Sequence, residues 1–250
     1  MNVLNTLRLR KVAVHRCFLF AVAFWVAITP LTSSAYKEEK AMGEINVYIV
    51  HGFMASPSDH WFQWLKEKLE ERGISVKVLE LPDSSAPNPI VWQKALYENI
   101  DRLNRNTFFV AHSLGCVSLL TYLQENINDK SIGGLILVSG FVSPLPKLPQ
   151  LNDFVEYQFD FEKIISAVKQ RAVIGSPQDS IVPYYLTREV AKNLESNLYS
   201  IDDAGHFLAD DGYDTFPYLL EILLTMISRE PLINSLPDGK NSLELDEKLR

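Results

Sequence analysis

Three side chains that together can carry out acyl transfer occur along the chain in the order serine, aspartate, histidine. Ser113 lies in "VAHSLG", Asp179 in "RAVIGSPQDSIVP" and His206 in "IDDAGHFLAD". A serine hydroxyl is a weak nucleophile at its free pKa and needs a base beside it. An imidazole base in turn needs a carboxylate that fixes its tautomer and stabilises the imidazolium. The pattern predicts a catalytic serine, with Ser113 as the nucleophile, Asp179 as the acid and His206 as the base.

Ser113 is flanked by two small residues, with Ala111 two positions before it and Gly115 two positions after it. In a G-x-S-x-G turn between a strand and a helix, these flanking residues must be small because neighbouring backbone crowds them. Ala111 replaces the first glycine of that pattern and still meets the steric requirement. From these residues alone an alternative stays open, in which Ser113 only caps the following helix.

His206 is predicted as the base by elimination among the five histidines of the chain. His15 lies in the N-terminal segment, and His51 and His60 come before the serine. His112 adjoins Ser113, and its side chain is expected to point away from that of the serine. In the order serine, acid, histidine, only His206 comes late enough.

Asp179 is the favoured acid because it follows a strand-like run and precedes Pro183, a suitable first residue of a helix. Asp202 and Asp203 are rivals, but they share the loop of His206 and would approach its ring awkwardly. A further alternative is that the Asp179 carboxylate only stabilises a turn.

An acyl-transfer site also needs backbone N–H groups that stabilise the oxyanion, each typically worth about 3 kcal/mol of barrier. The first donor is expected at Leu114, directly after the nucleophile. The second is expected at Phe53 in "VHGFMAS", with Met54 as the next choice, because Gly52 allows a sharp departure from the strand.

Four side chains in or near these loops are predicted to contact the substrate: Met54, Trp61, Phe154 and Phe207. Ordinary core packing is the alternative for each of them. A metal site built from His51, Asp59, His60 and His206 is the competing interpretation of the polar residues, but no H-E-x-x-H pattern supports it. The sequence also lacks a Walker lysine motif and a G-x-G-x-x-G, so we expect no cofactor and no metal.

The pattern of strands and helices that must position these residues predicts an α/β fold. Most strand candidates are continuous apolar runs, which is typical of strands buried on both faces of a parallel sheet. Helix-like periodic runs separate them, so we expect a mostly parallel sheet with helices on both faces and no large cap domain. The six strand candidates are Ile45–Val50, Val76–Leu81, Thr107–His112, Gly134–Ser139, Arg171–Ser176 and Asn197–Asp202.

Three apolar stripes at helical spacing fill the gaps between strands and are interpreted as core. They comprise Trp61, Trp64, Leu65 and Leu69; Trp92, Leu96, Ile100 and Leu103; and Phe216, Leu219, Leu220, Leu223, Met226 and Ile227. A proline-rich and aromatic stretch, Phe141 to Phe161, follows a strand and should overhang the carboxyl edge of the sheet. Residues 230–250 read as a polar C-terminal tail.

The N-terminal 35 residues have the layout of a secretory signal peptide, with a basic start, a short apolar run from Cys17 to Leu31 and small residues before Tyr36. We therefore expect a periplasmic or secreted protein that starts at Tyr36, with residues 36–43 as a short linker and 44–229 as the hydrolase domain. An uncleaved N-terminal membrane anchor is the alternative.

The charge of the chain argues against some partners. Its formal net charge is −7, and loss of four basic residues with the signal would make it −11, so nucleic-acid binding and adhesion to anionic lipid are not expected. No stable membrane association is expected after cleavage, and the oligomeric state is left open. Cys116 would be alone in the mature chain and is expected to pack on a helix.

The segments "VYIVHGFMASPSDHWFQWLKEKL", "FFVAHSLGCVSLL", "GLILVSGF", "RAVIGSPQDSIVP" and "DAGHFL" resemble the small α/β-hydrolases of the retinoblastoma-binding-protein-9 and YdeN family. The likeness is strongest to the bacterial YdeN branch and runs from about residue 44 to about 228. It implies a compact serine hydrolase whose nucleophile, acid and base fall on Ser113, Asp179 and His206. Members of that family are generally cytosolic and lack a signal peptide, so the signal peptide predicted here departs from what the resemblance implies.

These observations predict a serine hydrolase of the carboxylesterase class (EC 3.1.1) that acts on a small acyl compound, most simply a carboxylic ester. An amidase or peptidase acting on small substrates is one alternative. The other is a hydrolase-fold protein that binds a partner, for which "PLPKLP" could supply a docking segment.

Overall fold

The structure is a computed structural model that describes residues 44–234, all within one compact unit. Six strands and six helices alternate along this part of the chain. The strands are β1 (Asn46–Val50), β2 (Ser75–Leu79), β3 (Thr107–His112), β4 (Ile132–Val138), β5 (Val168–Gly175) and β6 (Asn197–Ser200). The helices are α1 (Phe62–Glu70), α2 (Pro89–Asn99), α3 (Leu114–Asn126), α4 (Phe161–Ala167), α5 (Tyr184–Asn193) and α6 (Pro217–Asn234).

The strands form one sheet in the order β2-β1-β3-β4-β5-β6, and every neighbouring pair is parallel. Every residue of β1, β3 and β4 is buried, whereas the edge strand β2 has one buried residue and the edge strand β6 has none. Continuous apolar runs therefore mark the central strands, because helices cover both of their faces. The predicted α/β fold with helices on both faces is confirmed.

Two hydrophobic cores lie on opposite faces of the sheet. On one face α2, α3, α4 and α5 pack against the sheet, and on the other face α1 and α6 do so. Alternate residues of a strand point to opposite faces, so β3 supplies Phe109 to the first core and Phe108 to the second. Because both faces are covered, the carboxyl edge of the sheet is where a parallel α/β fold can form a site.

The structure differs from the sequence prediction in some details. Helix α2 ends at Asn99, so Leu103 packs against the core from a loop and not from the helix. The stretch from Phe141 to Phe161 contains a short 3-10 helix at Pro149–Phe154. Helix α6 continues to Asn234, past the domain end predicted at residue 229.

The predicted signal peptide, the linker at 36–43 and most of the predicted tail lie outside the described residues. Within residues 44–234, none of the helices has the length and apolar character that crossing a membrane requires.

Candidate active site

Ser113 joins β3 to α3 through a strained turn. Its φ is 54° and its ψ is −124°, a combination that few residues other than glycine adopt and that is typical of functional sites. The turn is held by the sheet, since the N–H of Ser113 donates to the C=O of Val138 at the end of β4 (2.9 Å). The Ser113 side chain accepts no hydrogen bond from the first turn of α3, so it does not act as a helix cap.

Two glycines let other backbone approach this turn closely. A Cβ added to Gly115 would lie 2.4 Å from the C=O oxygen of His51 and 2.7 Å from that of Val50. A Cβ added to Gly52 would lie 2.9 Å from Cβ of Ser113. The requirement for a small residue at 115 therefore has a specific cause, which is contact with the backbone at the end of β1.

The structure brings Ser113, Asp179 and His206 together in one hydrogen-bonded row. Nδ1 of His206 lies 2.7 Å from Oδ2 of Asp179, and Nε2 of His206 lies 2.9 Å from Oγ of Ser113. A carboxylate accepts, so Nδ1–H of His206 donates to Asp179 and the lone pair of Nε2 accepts from the Ser113 hydroxyl. The carboxylate and the imidazole are almost fully buried, with 2% and 5% of their side chains exposed.

Asp179 is fixed by three donors besides His206. Its Oδ1 accepts from the N–H groups of Ile181 and Val182, both at 2.9 Å, which confines the carboxylate within its own turn. Its Oδ2 accepts from the hydroxyl of Ser139 at 2.8 Å. Ser139 is completely buried and has a positive φ of 49° at the end of β4. Each lone-pair direction of the carboxylate therefore faces a donor, which orients the oxygen that contacts His206.

The loop that carries His206 is held by three side chains. Oδ2 of Asp211 accepts from the N–H groups of His206 (2.8 Å) and Leu208 (3.1 Å). Nδ1 of His60 accepts from the N–H of Ala209 (3.1 Å), and Nε2 of His112 lies 2.8 Å from the C=O oxygen of His206. Backbone groups on both sides of the imidazole are thus tied to the body of the domain.

His112 is held in one neutral tautomer. A carbonyl oxygen only accepts, so Nε2 of His112 must carry the proton. Its Nδ1 is buried without a hydrogen-bond partner among the described residues. Burial, together with the nearby ring of His206, lowers the pKa of His112 well below its usual value. His112 therefore stays uncharged and donates to the backbone of the residue that contacts Ser113.

Two backbone N–H groups have no hydrogen-bond acceptor among the described residues: that of Leu114, which follows Ser113, and that of Phe53, which lines a cavity with Ser113. The N–H of Met54, the next choice for an oxyanion donor, is engaged by the C=O of Ser84 at 2.8 Å. Gly52 packs against the Ser113 turn, with its added Cβ only 3.4 Å from the nitrogen of Leu114. The geometry therefore favours Phe53 over Met54 as the second donor.

A cavity of about 520 Å³ opens above Ser113 and His206. Its other lining residues come from the loop after β1, the end of β3, the rim after β4, the turn of Asp179 and the loop of His206. They are Phe53, Met54, Ala55, His60, His112, Lys147, Leu148, Leu151, Ser180, Ile181, Leu208 and Asp210. The rim therefore contributes aliphatic side chains and one lysine to the cavity.

Of the four predicted substrate contacts, the structure places only Met54 on this cavity, with 71% of the residue exposed. Trp61, Phe154 and Phe207 are core residues, each no more than 3% exposed. Trp61 and Phe207 both pack against Phe216 beneath one face of the sheet, and Phe154 packs edge-on against Trp92 on the other. These three predictions are corrected, since large rings near a loop were needed to fill the two cores.

The polar residues considered for a metal site have other contacts. Nε2 of His51 accepts from the N–H of Leu81 (3.1 Å), and Oδ2 of Asp59 accepts from the N–H of Ser56 (2.7 Å). No group of three or more possible metal ligands occurs among residues 44–234. The rival acids Asp202 and Asp203 are exposed, while His206 contacts Asp179.

Cys116 is fully buried in α3, and burial raises the pKa of its thiol. A thiol in such surroundings is a small apolar core residue and not a nucleophile.

The sequence profile of the serine hydrolase family matches residues 47–225, which include every residue of the hydrogen-bonded row. The chain belongs to the serine hydrolase family. The YdeN hydrolase of Bacillus subtilis (strain 168) is 40% identical over 184 residues, which cover 74% of this chain and 97% of that protein. The serine hydrolase RBBP9 of Rattus norvegicus is 24% identical over 170 residues, covering 67% of this chain and 87% of that protein.

Among solved structures, that of the ydeN gene product from Bacillus subtilis superimposes on this serine hydrolase with a TM-score of 0.71 at 39% identity. The match covers 74% of this chain and 99% of the other. The resemblance to the family that contains YdeN and RBBP9 is thereby confirmed, and so is the α/β-hydrolase fold.

Sequence reasoning missed several residues that hold this serine hydrolase site together. The sequence shows Ser139 only as the end of a predicted strand, and it offers His112 and His60 only as candidate bases or ligands. Asp211 was not singled out. The position of Ser139 at the carboxyl end of β4, between the ends of β3 and β5, was a usable signal. No signal in the sequence indicates the contact of Asp211 with its own loop, because that contact depends on local backbone geometry.

Proposed function

We propose that this serine hydrolase cleaves small acyl compounds, most simply carboxylic esters, through an acyl-enzyme formed on Ser113. The observation that carries the proposal is the row in which Asp179 Oδ2, His206 and Ser113 Oγ are joined by contacts of 2.7 and 2.9 Å. Distances in this range allow a proton to pass from the serine to the imidazole while the carboxylate holds the ring.

In the first half of the reaction, Oγ of Ser113 attacks the carbonyl carbon of the ester and its proton moves to Nε2 of His206. The carbonyl π electrons move to the oxygen, which becomes an oxyanion bound by the N–H groups of Leu114 and Phe53. When the tetrahedral intermediate collapses, the bond to the leaving alkoxide breaks and His206 returns the proton to it. The products are an alcohol and the Ser113 acyl ester.

In the second half, water replaces the alcohol. His206 takes a proton from the water as the oxygen attacks the acyl carbon, and the same two N–H groups bind the second oxyanion. Collapse releases the carboxylic acid and returns the proton to Oγ of Ser113. Asp179 keeps its charge throughout, and it stabilises the imidazolium each time that ion forms.

The cavity supports a small, partly apolar acyl substrate. Its volume of about 520 Å³ lies in the range of small-molecule sites. Leu148, Leu151 and Ile181 can contact an acyl chain. An ester is the simplest choice because an alkoxide leaves more readily than the nitrogen of an amide.

A matched panel tests this function: 4-nitrophenyl esters of two to eight carbons beside the 4-nitroanilides of the same acids. We expect wild type to hydrolyse the esters, and we expect the rate to fall about 1,000-fold or more in Ser113→Ala and in Asp179→Asn. Faster turnover of the anilides would favour the amidase alternative. Equal rates for wild type and Ser113→Ala would contradict the proposal and leave a partner-binding role.

A further inference from the structure

Lys147 is the one lysine or arginine among the described residues that line the cavity above Ser113. It belongs to the rim segment "PLPKLP" that follows β4. Its ammonium group donates a hydrogen bond to the C=O of Ser180 at 2.9 Å. Ser180 comes directly after Asp179 and also lines the cavity. The lysine side chain therefore reaches from the rim to the acid turn and lies on the cavity wall.

The backbone around Lys147 is stiff for a surface loop. Pro144, Pro146 and Pro149 fix φ on both sides of it. Leu145 is only 2% exposed and anchors the segment in the core. Because the backbone is constrained and the ammonium already has one acceptor, binding a ligand costs less side-chain entropy than it would for a free surface lysine.

The charge of Lys147 is not neutralised by its partner. A carbonyl oxygen carries no net charge, and Lys147 forms no ion pair with a carboxylate of residues 44–234. An ammonium has three donors, so two remain after the bond to Ser180. Asp210, from the loop of His206, is the one carboxylate among the described residues that line the cavity.

We infer that the cavity binds acyl substrates that carry an anionic group, such as a carboxylate, away from the scissile bond, and that Lys147 contacts that group. The inference rests on the proposed hydrolase function and specifies its substrate class. The chain as a whole has a net charge of −7, so its long-range field disfavours anions. A local cation beside the acid turn offsets this and favours the orientation that brings the anion to Lys147.

Two matched pairs of esters test the inference. In the first pair, one ester carries a carboxylate at the far end of its acyl chain and the other carries a carboxamide there. In the second pair, the carboxylate or the carboxamide is on the aromatic alcohol that leaves. We expect wild type to prefer the carboxylate about fivefold in kcat/KM in at least one pair, the effect of an exposed ion pair of about 1 kcal/mol. Lys147→Met should reduce that ratio to about one, and Lys147→Arg should retain it.

Lys130→Met is the matched control, since Lys130 is exposed and does not line the cavity. It should keep the wild-type ratio. The preference should also weaken as salt is raised, since salt screens an exposed pair. The inference would be overturned if the carboxylate preference survived in Lys147→Met, or if the wild-type ratio were one or less in both pairs. In either case, turnover of the esters would still support the hydrolase function. Absence of turnover with all four esters would overturn both.

Discussion

Ser139 donates its hydroxyl to the same carboxylate oxygen of Asp179 that receives Nδ1–H of His206. The hydroxyl has a fixed place because Ser139 is fully buried and its N–H is bonded to the C=O of Ile174 (2.9 Å). A hydrogen bond to a charged group contributes about 1.5–3 kcal/mol. We therefore expect Ser139 to affect the proposed reaction through the orientation of Asp179, without touching the substrate.

Ser139→Ala should lower kcat for ester hydrolysis by about tenfold or more and leave KM nearly unchanged, since the orientation of Asp179 matters chiefly in the transition state. Ser143→Ala is the control, because the Ser143 hydroxyl bonds instead to Glu189 outside the cavity. Steady-state kinetics of both variants decide the matter. Equal kcat in the two variants would show that the Ser139 hydroxyl is not required to orient the Asp179 carboxylate.

His112 offers a second test at this scale. His112→Leu removes the donor to the C=O of His206, whereas glutamine can place an amide N–H near the position of Nε2. We expect kcat to fall about tenfold in His112→Leu and to recover in part in His112→Gln, at similar KM. If both variants lose kcat equally, and only in step with lost thermal stability, His112 is a packing residue and does not position His206.

The sequence could predict that Ser113, Asp179 and His206 lie together, because each residue type suits one role at one strand end. It could not predict Ser139, because serine is common and its partner lies 40 positions away. Trp61 and Phe207 show the opposite error. Their size and nearness to the loops favoured substrate contact, but only the packed structure shows that both fill the core.

At the scale of elements, the turn between β3 and α3 depends on how closely the end of β1 approaches it. An alanine normally stabilises a helix over glycine by about 1 kcal/mol. At Gly115 the added Cβ would instead meet the backbone oxygens of Val50 and His51 at 2.7 and 2.4 Å. Backbone cannot move aside as a flexible side chain can, so the steric cost exceeds the gain in helix propensity.

Gly115→Ala should therefore lower the free energy of unfolding by roughly 1–3 kcal/mol, and it should reduce activity by shifting the Ser113 turn. Gly73→Ala is the contrasting case, because an added Cβ there has nothing within 4 Å and any loss of stability comes from the left-handed φ of +74° alone. Urea unfolding at neutral pH measures both. A Gly115→Ala variant as stable as wild type would mean that β1 and α3 are less tightly packed than the structure shows.

The order of elements could be read from the sequence because buried parallel strands are continuous apolar runs and the helices between them are periodic. Element ends were harder to predict. Leu103 continues the apolar stripe of α2 past the real end at Asn99, since a loop residue can pack against the same core as the helix before it. The rim at Pro149–Phe154 also forms a short helix that its prolines did not suggest.

For the molecule as a whole, three histidines link stability to pH. Burial is the main cause that lowers the pKa of His51, His60 and His112 from the usual value of 6.5. Below pH 6.5 these three imidazoles bind protons in the unfolded chain but stay neutral in the folded chain. The stabilisation is therefore complete above about pH 6.5 and is lost as the pH falls toward the lowered values, by at most about 1.4 kcal/mol per pH unit for each histidine.

The free energy of unfolding should accordingly decrease from pH 7.5 to pH 5, as measured by urea denaturation at several pH values. The useful comparison is between two proteins that differ at one of these histidines. His112→Gln lacks one of the three groups and should show a shallower decrease than wild type. Parallel curves for the two proteins would contradict the burial of a neutral imidazole at position 112.

The central claim is that Ser113 is the nucleophile activated by His206. Intact mass spectrometry and peptide mapping after treatment with a fluorophosphonate test it most directly. We expect rapid addition of a single phosphonyl group to wild type, mapped to Ser113, and no addition to Ser113→Ala in the same time. Labelling of wild type at another residue, or equally fast labelling of Ser113→Ala, would contradict the account.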